Sequence, residues 1–417
     1  MSQRKSIERR IDYAIVFPVC CLLVLGLVSI YVATSYDFPQ HVISVMGQQV
    51  LWIAIGAVLA FILMFFTTAT LWKLTPWLYL LGIGLMILPL IFFSPQLVAA
   101  TGAKNWITIG SVTLFQPSEF MKIAYILLMA RATVWFKGKK ERIHFKDDWI
   151  LLGFYGIITF PALLLLALQK DLGTAMVFLA ILAGMVLMSG ISWWLIIPLT
   201  FVVVGFLVAF FLIFLFPEGK EFLLKLGMDT YQLNRISAWF DPFAFSETIA
   251  YQQTQSMIAI GSGGLFGKGF NVLELPVPVR ESDMIFTVIA ENFGFMGSAL
   301  LLMLYLLLIY RMLKVTFEFN NLFYTYISTG FIMMILFHIF ENIGAAIGIL
   351  PLTGIPLPFI SQGGSALISN LIGIGLILSM NYQQVLARDK ESEKKLKETP
   401  TLSLENKGPS ACEASCY

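Results

Sequence analysis

Ionisable side chains gather at the start of one long apolar segment of this 417-residue chain. Arg280, Glu281 and Asp283 stand directly before an apolar run that begins at Met284. A carboxylate in such a place can take a proton from a substrate, and a neighbouring guanidinium can stabilise an anion. Ser282 and Asp283 also stand where the N-cap of a helix belongs, so Asp283 has a second, structural interpretation. The spacing alone leaves both roles open.

Charged residues also occur near the starts of other apolar segments. In FQPSEFMK, Glu119 and Lys122 are one helical turn apart and can pair on one face, although Lys122 could instead extend its amine to the membrane surface. In LQKDLGTA, Asp171 is a candidate helix cap as well as a candidate site residue. His338 and Glu341 are also one turn apart, and we interpret them as a buried polar pair because one helix face offers too few ligands for a metal.

The elements that position these residues are membrane helices. The chain is 58% hydrophobic and 12% charged, with a mean hydropathy of +0.82, which is far more apolar than a soluble protein. Its apolar runs are long enough to cross a bilayer, and backbone in hydrocarbon must satisfy its own hydrogen bonds. The sequence therefore predicts an all-α polytopic membrane protein of about ten helices, at Tyr13–Tyr31, Val50–Phe66, Pro76–Phe93, Ser118–Phe136, Trp149–Leu168, Leu172–Met188, Trp193–Phe216, Met284–Tyr310, Leu322–Ile347 and Ala366–Met380.

The distribution of Lys and Arg predicts the orientation of these helices. The basic stretches MSQRKSIERR, KGKKERIHFK and ARDKESEKKLK all fall on one side of the membrane if both termini are cytoplasmic. The large loop 217–283, between the seventh and eighth helices, then lies outside. Residues 1–386 form one membrane domain, and the polar segment 387–417 is expected to be a disordered cytoplasmic tail. The four cysteines indicate no disulfide or zinc framework.

Two outer segments contain unusual numbers of glycine and proline residues. The segment LPLTGIPLPFISQGGSA (350–366) cannot form a regular helix, and such backbone is tolerated near a membrane where it lines a cavity or packs on protein. The segment GSGGLFGKG (261–269) has neither dinucleotide-binding nor Walker spacing, so we interpret it as a flexible turn whose N–H groups could still meet a phosphate. Together with the acids, these loops predict one polar cavity at the outer face.

Five motifs in unbroken order resemble the SEDS family of cell-wall proteins (shape, elongation, division and sporulation): FQPSEFMK, QKDLGTA, YQQTQSMIAIGSGGLFGKG, PVRESDMIFTVIAENFG and LPLTGIPLPFISQGGS. The resemblance extends over residues 12–381, and LPLTGIPLPF is closer to the elongation member than to the division member. It implies a ten-helix fold and a peptidoglycan glycosyltransferase that polymerises lipid II outside the membrane. It also implies a class B penicillin-binding protein, a transpeptidase, as obligatory partner.

The resemblance assigns roles to four of the residues above. The essential acid of the family matches Asp283, its Glu and Lys match Glu119 and Lys122, and a further Asp matches Asp171. Departures from the family pattern are Val279, Glu281 and Ser282, which replace Glu, His and Thr before Asp283, and Gln362, which replaces Tyr. Asp283 itself is retained. Because its neighbours depart from the family pattern, the resemblance assigns no catalytic role to Glu281.

The implied substrate determines the chemistry that is needed. Lipid II already carries a diphosphate leaving group, so one base should suffice, together with cations that stabilise charge on the departing diphosphate. Asp283 is the candidate base, and Lys122, Arg280, Arg235 and Lys104 are the candidate cations. A divalent metal ion is the alternative to these side chains, and no other cofactor is expected.

Two other classes of function remain open at this stage. A lipid II flippase would place its binding groups near the bilayer midplane, whereas the acids here stand at the outer mouth. A scaffold that only recruits the transpeptidase would need no acid at position 283. The division role is an alternative within the same family.

Overall fold

The computed structural model describes residues 11–96, 98, 102–109, 112–139, 145–225, 230–318 and 321–398. This part of the chain is mostly helical and contains one small β-hairpin, in which Ile107 pairs with Phe115. Its elements are α1 (Tyr13–Asp37), α2 (Val42–Met64), α3 (Thr68–Ile91), β1 (Ile107–Ile109), β2 (Val112–Phe115), α4 (Pro117–Gly138), α5 (Phe145–Gln169), α6 (Leu172–Met188), α7 (Trp193–Leu215), α8 (Pro217–Lys225), α9 (Thr230–Phe240), α10 (Tyr251–Ser262), α11 (Ile285–Glu318), α12 (Leu322–Ala346) and α13 (Gly364–Glu398).

The ten predicted membrane helices correspond to α1–α7 and α11–α13. Eight of them are long and apolar enough to cross a bilayer. The other two depart from that pattern for visible reasons. Helix α6 has only 17 residues, and α4 carries Glu119, Lys122, Arg131 and Lys137 along its length. The prediction of a polytopic helical membrane protein is confirmed, with the large loop between the seventh and eighth membrane helices.

The helices with the most polar residues lie at the centre of the bundle. Helix α4 packs against α3 and α12, and α12 also packs against α6. Of the apolar 18-residue stretch of α12, 72% is buried. The corresponding share in α7 is 6%, so α7 is almost entirely exposed on the outside of the bundle. Close packing of α4 on α12 depends on Gly330, where an added Cβ would lie 2.8 Å from Ile126. The charged residues of α4 are thereby enclosed by protein.

The proline-rich segment after α12 is irregular, as predicted, and packs on the start of α11. Ser361 organises this contact: its hydroxyl accepts the Leu357 N–H (2.8 Å) and donates to the Ser282 carbonyl (2.7 Å). The Gln362 N–H donates to the Glu281 carbonyl (2.9 Å). Because these bonds fix the backbone on both sides of the contact, residues 281–283 are held by a second segment of the chain.

Residues 261–269, interpreted from sequence as a flexible turn with N–H groups for phosphate, instead pack against α11 and donate N–H groups to it. Helix α11 breaks at Gly294 (φ 63°, ψ −157°), and the glycine-rich segment packs into the break. The N–H groups of Lys268 and Gly269 donate to the carbonyls of Glu291 and Asn292, at 2.9 and 3.2 Å. These amides satisfy carbonyls that the break releases from the helix, and they are not available to a phosphate.

The boundary predicted at residue 387 falls inside a helix. Backbone of α13 continues as regular helix to Glu398, beyond the apolar part of the segment. Charged residues of both signs alternate along this extension, which is typical of a helix with solvated faces. Residues 387–398 of the predicted tail are thus helical in this structure, and residues 399–417 lie outside the described part of the chain.

Candidate active site

Asp283 is the last residue but one before α11, at the mouth of the bundle. Its carboxylate accepts a hydrogen bond from the Ser282 hydroxyl (3.0 Å), and its carbonyl accepts one from the Asn342 amide (2.7 Å). Among the described residues, no backbone N–H of α11 donates to the Asp283 side chain. The N-cap interpretation is thus not supported by the geometry, and the carboxylate is left for another role.

Residues 352–354 bring a cation to the same place. The Arg235 guanidinium, on α9, donates to the Leu352 carbonyl (2.8 Å) and is close enough to Asp283 to interact with it electrostatically. Gly354 has φ +79°, and an added Cβ would lie 3.2 Å from the Asp283 carboxylate. A glycine is required here by both its conformation and the close approach. The large loop and the proline-rich segment therefore meet at Asp283.

The surroundings of Asp283 favour a proton acceptor of increased basicity. Burial raises the pKa of the Asp283 carboxyl, while the Ser282 hydrogen bond and the Arg235 charge lower it; the net direction is upward. Nearby Glu281 also has a raised pKa, first because of burial, although its backbone carbonyl is the group bonded to the proline-rich segment. A carboxyl pKa raised by desolvation beside a specific charged partner is typical of functional sites.

A second polar cluster lies deeper, where α4 meets α12. The Lys122 amine is 2.9 Å from the Glu119 carboxylate and 3.0 Å from His338 Nε2. Glu119 and Lys122 are 4% and 2% exposed, so this pair is sealed from solvent. The predicted ion pair is confirmed, and the interpretation of Lys122 as a side chain extended to the membrane surface is excluded. His338, interpreted from sequence as the partner of Glu341, instead contacts Lys122.

Asp171 is both a helix cap and the centre of a hydrogen-bond network. Its carboxylate accepts from the Thr174 N–H (3.0 Å) and hydroxyl (2.9 Å), which caps α6. Asn105 and Gln116 donate to Oδ2, the oxygen that also accepts the Thr174 hydroxyl, at 2.7 and 3.2 Å. Asp171 therefore ties the hairpin region and the start of α4 to α6. This role is one of support, since the carboxylate is already saturated with donors.

Two of the candidate cations contact other groups than Asp283. Arg280 is fully buried, forms an ion pair with Asp37 (2.9 Å) and donates to the carbonyls of Leu275 and Val277. In this arrangement its guanidinium is held by those partners and is not directed at Asp283, and its role in binding a diphosphate stays a prediction. The Lys104 amine lies 4.4 Å above the Phe93 ring, on the hairpin side of the bundle. Of the cations predicted from sequence, Arg235 is the one near Asp283.

Glu341 lies near Asp283, but the sequence did not indicate it as a site residue. Glu341 of α12 accepts a hydrogen bond from the Thr353 hydroxyl, and it interacts electrostatically with both Asp283 and Arg235. The signal available in the sequence was its position, one turn after His338, which put both residues on one face of α12. No group of three His, Cys, Asp or Glu residues with the proximity needed for a metal occurs in the described ranges.

Fold and site together define a polytopic membrane protein with a half-buried acid where the loop between α7 and α11 meets the bundle. A family model described as "Cell cycle protein", FtsW/RodA/SpoVE, matches residues 13–385. Peptidoglycan glycosyltransferase MrdB of Escherichia coli (strain K12) is 34% identical over 386 residues, covering 91% of this chain and 95% of the relative. Stage V sporulation protein E of Bacillus subtilis (strain 168) is 29% identical and covers 89% of this chain and 96% of its own length.

Solved structures agree with the sequence comparison. A chain from a structure described as "Structural coordination of polymerization and crosslinking by a peptidoglycan synthase complex" superposes with a TM-score of 0.72 at 26% identity, covering 90% of this chain and 98% of that one. Rod shape determining protein RodA of Thermus thermophilus gives a TM-score of 0.60 at 27% identity, with 89% and 96% coverage. The chain belongs to the FtsW/RodA/SpoVE family, which is the SEDS family indicated by its motifs.

Proposed function

We propose that Asp283 is the general base with which this membrane glycosyltransferase polymerises lipid II into glycan strands at the outer face of the cytoplasmic membrane. The observation that supports this most is the half-buried Asp283 carboxylate, which caps no helix, has a pKa raised by desolvation and lies within electrostatic range of Arg235. Membership in a family with a relative named peptidoglycan glycosyltransferase supports the reaction type.

The reaction requires one proton transfer and one exchange of bonds. Asp283 takes the proton of the acceptor sugar's 4-hydroxyl as that oxygen forms a bond to the anomeric carbon of the donor sugar. The bond from that carbon to the diphosphate of undecaprenyl diphosphate breaks, and the diphosphate leaves with the bonding electrons. Arg235 stabilises the ionised form of Asp283 before the transfer. Glu119, Lys122 and Asp171 support the geometry through the contacts described above.

We further propose that a class B penicillin-binding protein is the partner and that cell elongation and shape are the process served. The superposition on a chain from a peptidoglycan synthase complex supports a partner that crosslinks. The experiment that tests the function is polymer formation from lipid II by the purified chain with such a partner. A flippase would move lipid II across vesicles without making polymer, and a scaffold would do neither.

The proposed orientation gives a labelling prediction. The even number of membrane helices puts both termini on one side, and the basic segments put that side in the cytoplasm. In a background without the four native cysteines, an impermeant thiol reagent applied to intact cells should modify a cysteine at Glu247 or Glu274. A cysteine at Lys139 should react only after the cells are opened. Labelling at Lys139 in intact cells would reverse the orientation.

The pH dependence of polymerisation should follow the ionisation of Asp283. A general base acts when deprotonated, so activity is present above its pKa and falls as the pH falls through it. Because Arg235 lowers this pKa, Arg235→Gln should move the acidic limb of the kcat/KM profile to higher pH. The matched control is Lys225→Gln, an exposed cation on α8, which should leave the limb in place. An unmoved limb in Arg235→Gln would separate Arg235 from the base.

A further inference from the structure

One carboxylate oxygen of Glu341 forms no hydrogen bond with the described part of the chain. The residue is 2% exposed, and its Oε1 accepts the hydroxyl of Thr353. Its Oε2 is buried and has no hydrogen-bond partner among the described residues. The next residue, Asn342, is similar: its amide nitrogen donates to the carbonyls of Asp283 and Ile355, whereas its Oδ1 is buried and unpartnered. Buried polar atoms without partners are rare and require an explanation.

The position of Glu341 connects it to the proposed base. Three consecutive residues of one segment contact three charged side chains: the Leu352 carbonyl accepts from Arg235, Thr353 donates to Glu341, and Gly354 lies against Asp283. Asp283 and Arg235 are both within electrostatic range of Glu341. The unpartnered oxygen therefore belongs to the same small region as the Asp283 carboxylate, although α11 and α12 contribute the two acids separately.

Two simpler explanations of Glu341 do not fit these contacts. A purely structural acid would have both carboxylate oxygens bonded, as Asp171 has on α6. A metal ligand would need further carboxylates or histidines close by, and the described part of the chain has no group of three. A buried charged group that serves no purpose is costly, and replacement by an apolar residue of similar volume is often neutral or stabilising. A hydrogen-bond donor on a bound molecule would satisfy this oxygen.

We propose that Glu341 is a second substrate-contacting carboxyl group, whose Oε2 forms a hydrogen bond with a hydroxyl of the acceptor sugar and holds that sugar for Asp283. This inference rests on the proposed function. Glu341 forms and breaks no covalent bond. It holds the acceptor sugar equally before and during the transfer, with the hydroxyl that is deprotonated within reach of Asp283, so its loss weakens binding of the sugar more than it slows the chemical step. Thr353 fixes the rotamer of Glu341 through the opposite oxygen, and is a positioning residue.

The test compares two substitutions of Glu341 in the complex with its penicillin-binding partner. Glu341→Met has a similar volume but forms no hydrogen bond, and should raise KM for lipid II by about tenfold or more while changing kcat less. Its Tm should stay close to that of the wild type, because removal of an unpartnered buried oxygen offsets loss of the acceptor for the Thr353 hydroxyl. Glu341→Gln keeps the hydrogen-bonding capacity and should stay within about fivefold of the wild-type KM. Ser328→Ala, at a buried position elsewhere on α12, is the matched control and should leave KM unchanged.

Each outcome decides the inference. A KM within twofold of wild type in Glu341→Met overturns it, even while wild-type activity upholds the proposed function. If Glu341→Met does not fold, Thr353→Val decides: a raised KM supports the positioning contact, and an unchanged KM overturns it. Absence of polymer from the wild-type complex, with active substrate and partner, overturns the proposed function and this inference with it.

Discussion

Replacement of Asp283 by asparagine is expected to lower lipid II polymerisation by about 10²–10⁴-fold, the usual contribution of a general base. Asparagine keeps the volume of the side chain and can still accept the Ser282 hydroxyl, but it cannot take a proton at neutral pH. Because burial makes the charge of Asp283 costly, the neutral amide should not lower the Tm of the complex. The expected result is a stable, partner-bound protein that makes almost no polymer.

The measurement is polymer length and rate for the purified Asp283→Asn complex, alongside its Tm and its recovery with the penicillin-binding partner. Glu281→Gln is the matched control, since it removes a nearby carboxyl while leaving the backbone contact with Gln362 intact. It should keep most of the activity. Near-normal polymerisation by Asp283→Asn would return Asp283 to a structural role and leave the enzyme without an identified base.

The positions of the membrane helices were predictable from the sequence because bilayer thickness sets a minimum apolar length. The break in α11 was not predictable from the sequence, although a glycine, Gly294, occupies that position. The apolar run passes through Gly294 without interruption, and the carbonyls released there are satisfied by Lys268 and Gly269 from another segment. A break of this kind depends on contacts between distant residues, which local hydropathy does not record.

Candidate site residues show the same limit on what the sequence can predict. Asp283 was identifiable because a charged residue at the start of an apolar segment is costly unless it has a structural or functional role. Arg280 satisfied the same criterion, but its side chain turns toward Asp37, at the end of α1. Glu341 was visible only as a polar residue on a helix face. Its place beside the base follows from Thr353, in a loop whose path no periodicity predicts.

The Gly-rich and Pro-rich loops have one physical function in common. Gly267 lies against the Asn292 carbonyl, where an added Cβ would come within 2.1 Å, and Gly354 approaches Asp283 in the same way. Each glycine lets a loop touch α11 or the turn before it more closely than a residue with a Cβ could. Both loops therefore pack closely on other parts of the chain although their composition is more typical of flexible segments, which explains why the sequence suggested a flexible turn at residues 261–269.

Loss of either partner of the buried Glu119–Lys122 pair is expected to lower the stability of the protein strongly, whereas loss of the Asp283 carboxylate is expected to lower activity alone. Removing one member of such a pair leaves an uncompensated charge and typically costs about 3–5 kcal/mol. In Glu119→Ala the Lys122 amine would keep only His338 as a partner, and in Lys122→Ala the Glu119 carboxylate would lose its cation. Both variants should show low yields and a clearly lower Tm in detergent.

An exposed ion pair in the same protein provides the comparison for Glu119 and Lys122. Glu274, whose side chain is 64% exposed, pairs with Lys268, and Glu274→Ala should cost about 0–1 kcal/mol because water screens the pair. The double variant Glu119→Lys with Lys122→Glu restores opposite charges, so its Tm should recover. Its polymerisation should recover less, because a glutamate at position 122 changes the contact with His338, on the helix that also carries Glu341. Wild-type Tm in both single variants would instead mean that the buried charges are compensated by other groups.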